Sequence, residues 1–388
     1  MRFDFPTSWR HGRGLAAQAG NVLRELGCTR TLLVTDRLLM EKGVVDPVTA
    51  SLDEAGMAYT VCDAVTTEPT VALFEELVGT TRGSPLIADL AGFDSVLAVG
   101  GGSVIDVAKG LAVVAQFGGH IRDYAGFDAI PEPLTRTIVA VPTTAGTGSE
   151  ISDGSVWIDE AAHTKFLVLS LRICPTVALT DPEMTRSMPP RVTATSGVDA
   201  LVHAIESYLS RDASVATEPL SLRAIESIVA GLKAAYDHGD DLDAREAVQL
   251  GATMAMAAGM NAHMGLCHAL AMPLCGLYGM AHGQACGMVL PYVLEFNAEV
   301  ARSKVAAVFR AMGFTSGEAG DGAVGGAHYR ELAVFLGEVG IAGRLSDFGY
   351  RDDHMRTIVQ GTLASVQARF NPRTPSEDDL VGLVRRLI

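Results

Sequence analysis

Short strand-like runs alternate with helix-like runs through the first half of this chain, and the alternation stops near residue 190. Three of these runs are rich in β-branched residues and leucine, and they cover residues 30–36, 95–99 and 137–141. Helical patterns separate them, which is typical of a parallel sheet covered on both faces. From Pro189 onward only long helical patterns remain. The sequence therefore predicts an α/β domain with a mainly parallel sheet over residues 1–185 and an all-α domain over residues 186–388.

Charge and composition exclude several classes of partner. The 388 residues include 30 basic and 45 acidic side chains, which gives a net charge of −15. Because no basic run is present, we expect neither nucleic acid nor an anionic membrane as a partner. The chain lacks an uninterrupted apolar run of membrane-spanning length and an apolar signal-peptide core at its start. Its six scattered cysteines form no CxxC pair, which is typical of a reducing compartment, so we expect a cytoplasmic protein.

A run of three glycines, Gly100, Gly101 and Gly102, joins a predicted strand to a helix that begins at Ser103. Glycines let a backbone approach a phosphate closely, and the first turn of a helix offers free N–H groups. The run is not the GxGxxG fingerprint, because Ile105 occupies the position of its third glycine. The pattern alone fits a phosphate-binding turn and a simple tight turn equally well.

Two further segments fit a dinucleotide. Asp36 ends the first of the predicted strands, where a carboxylate can accept hydrogen bonds from ribose hydroxyls and would repel a 2′-phosphate. This favours NAD over NADP, although an aspartate at this place can also cap a helix or a turn. Residues 142–150 are rich in glycine and small hydroxyl side chains, which suits a wall beside a phosphate or ribose. The alternative is a polar surface loop.

Two histidines, His268 and His282, lie in an apolar segment at residues 265–291. A buried imidazole must satisfy both ring nitrogens, and a protein group does this more often than a metal. A second segment changes the balance, because Asp199 and His203 are spaced i, i+4 and would share one helical face. One carboxylate and three imidazoles suit a divalent metal. Since these residues fall in the helical half and the glycine run in the other, we expect an active site in a cleft between two domains.

These motifs together resemble the iron-containing alcohol dehydrogenase family, which is related to glycerol dehydrogenases and dehydroquinate synthases. The resemblance covers almost the whole chain. It rests on residues 100–109, 142–150, 181–183, 189–208, 268–291 and 371–373. It implies a dinucleotide-binding α/β domain, a helical metal-binding domain and catalysis in the cleft between them.

The resemblance also implies roles for single residues. Asp199, His203, His268 and His282 would hold the metal, typically Fe²⁺ and in some members Zn²⁺, and the 14-residue interval between the last two is the interval of the family. The implied cofactor-binding residues are Asp36 at the adenosine ribose, Gly100, Gly101, Gly102 and Ser103 at the pyrophosphate, Thr143, Thr144 and Thr147 along the dinucleotide groove, and Lys165 near the nicotinamide ribose. Asp106 and Lys109 belong to the same motif, where a cofactor role and a packing role both remain open.

The activity implied is a metal-dependent, NAD-linked hydride transfer between the nicotinamide and a small alcohol or aldehyde, in a homodimer or a higher homo-oligomer. Two rivals share the fold. A lyase of the dehydroquinate synthase type uses a ligand set that begins with glutamate, and a maleylacetate-type reductase lacks the ligand pattern. A binding protein without catalysis is a third alternative, which the presence of both half-sites disfavours.

Two positions depart from the family. Many members have a histidine four residues after the position of His268, where this chain has Met272. Conversely, His263 stands where small residues are usual. One hypothesis is that His263 takes over proton relay or substrate contact as a catalytic residue, and the alternative is a core or capping histidine.

Overall fold

The computed structural model describes residues 2–65, 69–79, 90–162, 164–314 and 324–388. The chain divides into two compact units. The first, which we call the sheet unit, consists of Phe5–Thr144 and Gly148–Ser187. The second, the helical unit, consists of Met1–Asp4, Ala145–Thr147 and Met188–Ile388.

The sheet unit contains a six-stranded, wholly parallel sheet and a smaller three-stranded sheet. The strands are β1 (Ser8–His11), β2 (Arg30–Val34), β3 (Ala58–Cys62), β4 (Ser95–Gly100), β5 (Gly126–Phe127), β6 (Thr137–Pro142), β7 (Gly154–Asp159), β8 (Thr164–Leu169) and β9 (Val177–Thr180). The large sheet has the order β1-β9-β6-β4-β2-β3, and the small one has the order β5-β8-β7 with β7 and β8 antiparallel.

Helices cover both faces of the large sheet. They are α1 (Ala19–Glu25), α2 (Arg37–Glu41), α3 (Asp46–Glu54), α4 (Val71–Val78) and α5 (Gly102–Phe117). Successive strand residues point to opposite faces, so β4 places Val96 and Ala98 in one core and Leu97 and Val99 in the other. Both faces of β4 are therefore buried, which explains the near-continuous hydrophobic sequence of this central strand.

The helical unit has no strand among its described residues. Its helices are α6 (Pro190–Leu209), α7 (Thr217–Asp237), α8 (Leu242–Ala262), α9 (Leu266–Tyr278), α10 (His282–Ala311), α11 (Gly326–Glu338), α12 (Met355–Ala364) and α13 (Glu377–Leu387). The backbone of α10 departs from helical geometry at Ala301. None of the described helices combines the length and hydropathy that a membrane span requires.

The predicted fold class is confirmed, with a parallel sheet in the first half and helices in the second. Several bounds differ from the sequence predictions. The helical pattern of residues 299–312 predicts a helix, and these residues form the last part of α10, which begins at His282, continues through Pro291 and departs from helical geometry at Ala301. The pattern of residues 352–370 predicts one helix, whereas the structure has α12 with a 3₁₀ turn on each side. The sequence also predicts a helix over residues 70–80 and a glycine-rich loop over residues 316–327, and both segments lie partly outside the described residues.

Candidate metal and cofactor sites

Helix α6 supplies Asp199 and His203, which lie one turn apart on one face. Both are buried, at 6% exposure each, because α6 packs against α7, α8 and α10. The Nε2 atom of His203 lies 3.9 Å from Oδ2 of Asp199. Glycine makes one of these helix contacts possible: a Cβ at Gly283 of α10 would lie 1.8 Å from the Thr195 carbonyl oxygen of α6.

His268 and His282 reach the same carboxylate from two other helices. His268 is in the first turn of α9, and its Nε2 lies 3.8 Å from Oδ1 of Asp199. His282 is the first residue of α10, and its Nε2 lies 3.7 Å from the same oxygen. The rings of His203 and His268 stack with centroids 4.7 Å apart. The His282 side chain, at 33% exposure, is the most open of the four.

These separations exceed hydrogen-bonding distance. Among the described residues, Oδ1 of Asp199 and Nε2 of His268 have no hydrogen-bond partner although both atoms are buried. Two ligands of one ion, each about 2.1 Å from it, lie about 3.4 Å apart, which is close to the observed spacing. The donor set and its unpaired buried atoms therefore fit a divalent metal. Nδ1 of His203 is also buried without a hydrogen bond, and a metal between these residues does not explain it.

The electrostatics of the cluster favour the metal-binding forms of Asp199 and His203, whereas Glu206 raises the pKa of His268 against the opposing effect of burial. Burial favours a raised pKa for the Asp199 carboxyl, but the three neighbouring imidazoles outweigh it and hold that pKa below its usual value. Burial lowers the pKa of His203 to about 4. A carboxylate and a neutral imidazole are the protonation states that metal ligation requires.

Two residues at this site were missed by the sequence reasoning. Glu206 follows Asp199 by seven residues on the same face of α6, and its Oε2 lies 2.6 Å from Nδ1 of His268. Cys286 follows His282 by four residues on α10, and its Sγ lies 3.6 Å from Nε2 of His282. Helical spacing was the available signal for both.

Cys286 also belongs to an alternative donor set. In the described part of the chain, donor atoms of Asp199, His268, His282 and Cys286 lie within 4.8 Å of one another, and this set leaves out His203. Burial raises the pKa of the Cys286 thiol well above its ordinary value. The structure therefore brings three of the four predicted ligands together with a thiol, and it places the fourth, His203, 3.9 Å from the other oxygen of Asp199.

The predicted phosphate site lies at the start of α5. Gly101 is the N-cap, and the first turn contains no acidic residue. A Cβ at Gly101 would lie 3.2 Å from Cγ2 of Thr144, whereas one at Gly100 would clash with Val104 at 2.5 Å. Gly102 and Ser103 are half-buried, so the helix terminus remains accessible. An open helix N-terminus built from glycine fits an anionic phosphate.

Asp106 and Lys109 of α5 point into the protein. Lys109 is fully buried, and its Nζ donates to the carbonyl oxygens of Ser152 at 2.9 Å and Gly154 at 2.7 Å. Asp106 Oδ2 accepts from the backbone N–H of Val156 at 2.9 Å. Burial raises the pKa of Asp106 to about 6, against the opposing effect of Lys109. These contacts join α5 to β7 and to Ser152, which lies just before it.

The remaining predicted cofactor residues occupy different settings. Asp36 is the N-cap of α2, with Oδ1 accepting from the Leu38 N–H at 2.6 Å, which matches the capping alternative without excluding ribose binding. Thr143 is buried and its N–H donates to the Gly100 carbonyl at 3.0 Å. Thr144 is half-buried, Thr147 is exposed, and Lys165 lies half-buried on β8.

Two family models match this chain. One, described as iron-containing alcohol dehydrogenase, matches residues 6–182, and another, described as the C-terminal part of the Fe-containing alcohol dehydrogenase family, matches residues 193–388. The chain belongs to the iron-containing alcohol dehydrogenase family. It is therefore an oxidoreductase that interconverts alcohols and aldehydes with a nicotinamide nucleotide.

Individual relatives agree with this family. Lactaldehyde reductase of Escherichia coli (strain K12) is 34% identical over 97% of this chain and 96% of its own length. NAD-dependent methanol dehydrogenase of Bacillus methanolicus is 29% identical over 100% of this chain and 99% of its own. A crystal structure of 1,3-propanediol oxidoreductase superposes with a TM-score of 0.92, at 31% identity and 100% coverage of both chains.

The two departures of this iron-containing alcohol dehydrogenase from its family lie in different places. Met272 is half-buried on α9, one turn after His268. His263 follows α8 with φ 63° and ψ 171°, a backbone region almost restricted to glycine. Its ring stacks on Phe370 with centroids 4.1 Å apart, and Nε2 lies 3.8 Å from Asp212. A proton-relay role for His263 stays a prediction.

Proposed function

We propose that this protein is a metal-dependent, NAD-linked alcohol dehydrogenase whose metal is held by Asp199, His203, His268 and His282. The observation that carries the proposal is the convergence of three imidazoles on one buried carboxylate, at 3.7–3.9 Å, with no hydrogen bond joining them. Buried polar atoms without partners are costly, so such a cluster is understandable when a cation completes it. We propose Fe²⁺ as the ion and Zn²⁺ as the alternative, since both accept nitrogen and oxygen donors.

Each residue of the proposed metal site would have a separate role. When bound, the metal polarises the oxygen of an alcohol or aldehyde. Asp199 supplies the only negative charge of the proposed ligand set, so a divalent ion would retain a net positive charge there. His203 and His268 close the site from the protein side, because their side chains are 7–8% exposed. His282, one-third exposed, borders the side from which a substrate would approach.

NAD is the proposed nucleotide. Gly101, Gly102 and Ser103 would bind the pyrophosphate at the start of α5, and Lys165 would contact the nicotinamide ribose. Asp36 has one carboxylate oxygen on the Leu38 N–H, and its charge would disfavour the 2′-phosphate of NADP. The name of the Bacillus methanolicus relative, an NAD-dependent enzyme, supports the same choice.

The proposed substrate is a short alcohol or aldehyde. Three relatives are named for lactaldehyde, methanol and 1,3-propanediol, which are small oxygenated molecules, whereas another of similar identity and coverage is named for long-chain alcohols. The homo-oligomeric state, the cytoplasmic location and the domain bounds at residues 185 and 186 stay predictions.

Metal removal tests the proposal. The purified protein is analysed for metal, and NADH oxidation is measured with a panel of short aldehydes before chelation, after chelation and after return of Fe²⁺ or Zn²⁺. We expect near-stoichiometric metal, loss of activity on chelation and recovery with at least one of the two ions. Full activity in metal-free protein would reject the metal-dependent mechanism and favour a metal-free reductase.

The alternative set with Cys286 is tested by cobalt. A thiolate ligand gives Co²⁺ an intense near-ultraviolet charge-transfer band, whereas a nitrogen and oxygen set gives only weak visible bands. We expect no such band in the Co²⁺-loaded protein and little spectral change in Cys286→Ser. A strong band that disappears in Cys286→Ser would show that Cys286, and not His203, is the fourth ligand. It would also favour Zn²⁺, which accepts thiolate readily.

A further inference from the structure

The first turn of α9, which bears His268, has an acceptor for each of its first four N–H groups. Glu206 of α6 accepts from the backbone N–H groups of Gly265 at 2.9 Å, Cys267 at 2.5 Å and His268 at 3.4 Å. Asn371 accepts from the Leu266 N–H at 3.3 Å. Helix ends normally leave these groups to water or to a local cap, so two distant side chains here fix the start of the helix.

Glycine at position 265 allows this arrangement. A Cβ there would lie 3.0 Å from Oε1 of Glu206 and 3.1 Å from Oδ1 of Asn371. Asn371 is held in turn by Asn297, with Nδ2-to-Oδ1 distances of 2.7 Å and 3.0 Å in the two directions. Any larger residue at position 265 would therefore push both acceptors away from the helix end by a few tenths of an ångström.

Unlike Asn371, Glu206 also contacts the imidazole of His268. Its Oε2 lies 2.6 Å from Nδ1 of the ring. A carboxylate can only accept a hydrogen bond, so Nδ1 must carry the proton. The lone pair of a neutral ring then lies on Nε2, the atom that faces Asp199 and has no hydrogen-bond partner.

We infer that Glu206 is a positioning residue that fixes both the place and the tautomer of His268, so that Nε2 is ready to bind the metal. The inference rests on the proposed function, since it assigns a role relative to the metal of that site. Glu206 is suited to this role because it is only 4% exposed and lies on the same helix as Asp199 and His203. One helix thus presents two ligands directly and orients a third. Carboxylates that accept from a metal-binding histidine commonly have this effect.

The test is Glu206→Gln, with Asn371→Ala as the matched control. Glutamine has no charge and only one oxygen for the four N–H groups that the Glu206 carboxylate accepts from, so it holds the Nδ1–H tautomer of His268 less strongly. Asn371→Ala removes an acceptor from the same helix turn without touching the ring. Metal-free proteins are titrated with Co²⁺ against a competing chelator, and thermal unfolding reports the fold of each variant.

We expect Glu206→Gln to bind Co²⁺ about 10–100-fold more weakly than the wild type. We expect Asn371→Ala to unfold at a lower temperature but to keep its Co²⁺ affinity within about threefold of the wild type, because it leaves the His268 tautomer unchanged. Equal affinity in Glu206→Gln and wild type would overturn the inference. So would an equal loss in both variants, because the effect would then come from the helix end alone.

A second measurement needs no variant. In metal-free protein labelled with ¹⁵N-histidine, recorded at alkaline pH where the ring is neutral, His268 should show the Nδ1–H tautomer. An Nε2–H tautomer would overturn the inference even if Glu206→Gln failed to fold. Failure of the proposed function looks different, because the wild type would then bind no Co²⁺ at all, and both proposals would fall together.

Discussion

Charged groups are buried in both units of the molecule, but they are arranged in opposite ways. In the sheet unit, Lys109 and Asp106 each make hydrogen bonds to the backbone of residues 152–156. In the helical unit, Asp199 and the histidines around it face one another across 3.7–3.9 Å, and several of their buried atoms have no hydrogen bond. Among the described residues, the first cluster leaves Oδ1 of Asp106 without a hydrogen bond and bonds its other groups to the protein, whereas the second leaves Oδ1 of Asp199 and Nε2 of His268 unpaired and facing each other.

The contrast separates structural from chemical roles where residue type cannot. Asp106 and Asp199 are both 6% exposed aspartates on helices with a cation or histidine nearby. Burial raises the pKa of Asp106 to about 6, while the imidazoles hold the pKa of Asp199 below its usual value. We therefore expect changes in the first cluster to appear in stability and changes in the second to appear in metal content and turnover.

The largest effect should follow Asp199→Ala, which removes the group on which the three imidazoles converge. We expect loss of stoichiometric metal and a fall in kcat/KM of about 1,000-fold, since several kcal/mol of metal-derived stabilisation would be lost. Steady-state kinetics and metal analysis measure both, and NADH binding followed by fluorescence should be retained. Unchanged metal content would show that Asp199 is not needed to hold the metal and that the two clusters do not differ in the proposed way.

Lys109→Met should act on stability. It leaves Asp106 buried without its cation and removes the hydrogen bonds to Ser152 and Gly154, so we expect a loss of about 3–5 kcal/mol in the free energy of unfolding. Urea unfolding measures it. Metal content should match the wild type in the folded variant, and a loss below about 1 kcal/mol would mean that the cluster contributes little to the sheet unit.

Asp106 should make stability depend on pH. Its pKa is raised from 3.8 to about 6 in the folded protein, so between about pH 4 and pH 6 the folded chain keeps a proton that the unfolded chain loses. Stability then falls as pH rises through this window. Asparagine cannot titrate, so the wild-type stability relative to Asp106→Asn should decline by about 2–3 kcal/mol across it. A difference that is flat with pH would contradict the raised pKa.

Asp36→Ser tests whether the negative charge of Asp36, in the sheet unit, selects NAD over NADP. Serine is also a good N-cap, so α2 should keep its cap while the negative charge is removed. We expect kcat/KM with NADP to rise about tenfold relative to NAD, or about 1.4 kcal/mol. Kinetics with both nucleotides measure this ratio. An unchanged ratio would leave Asp36 with its capping role only.

The smallest effect should follow His263→Ala. The ring packs on Phe370 beside Asp212 and is partly exposed, so we expect turnover and the pH–rate profile to stay within about twofold of the wild type. A large loss of turnover, or the loss of an inflection in the profile, would instead support the proton-relay hypothesis and would extend the catalytic region beyond the metal cluster.

Sequence patterns predicted the parallel strands and most long helices because burial on both faces of a sheet and on one face of a helix leaves a periodic signature. The capping box of Ser376 and Asp379 at the start of α13 can also be recognised in the sequence, because its two partners are only three residues apart. Helix α9 and the first part of α10 were harder to predict, because they contain Pro273 and Pro291, and proline usually ends a helix.

The site was predictable in part. Asp199 and His203 share a face at a spacing that sequence reveals, and Glu206 and Cys286 could have been found by extending the same rule to i+7 and i+4. The partners of Asp106 and Lys109 were beyond reach, because they lie 43–50 residues further along the chain and are mostly backbone groups. Whether a buried charge faces a ligand or the protein depends on such contacts.

Gly283, the residue after His282, sets the closest approach of two ligand-bearing helices. Because a methyl group there would overlap the Thr195 carbonyl and crowd Asp199 at 3.2 Å, the span between Asp199 and His282 is determined by contact between backbones. Rotamer changes can adjust such a span only slightly. The distance between the two helices therefore limits the size of the ion that can bind between Asp199 and His282. A family member that binds a different ion would be expected to exchange donor side chains and to keep this glycine.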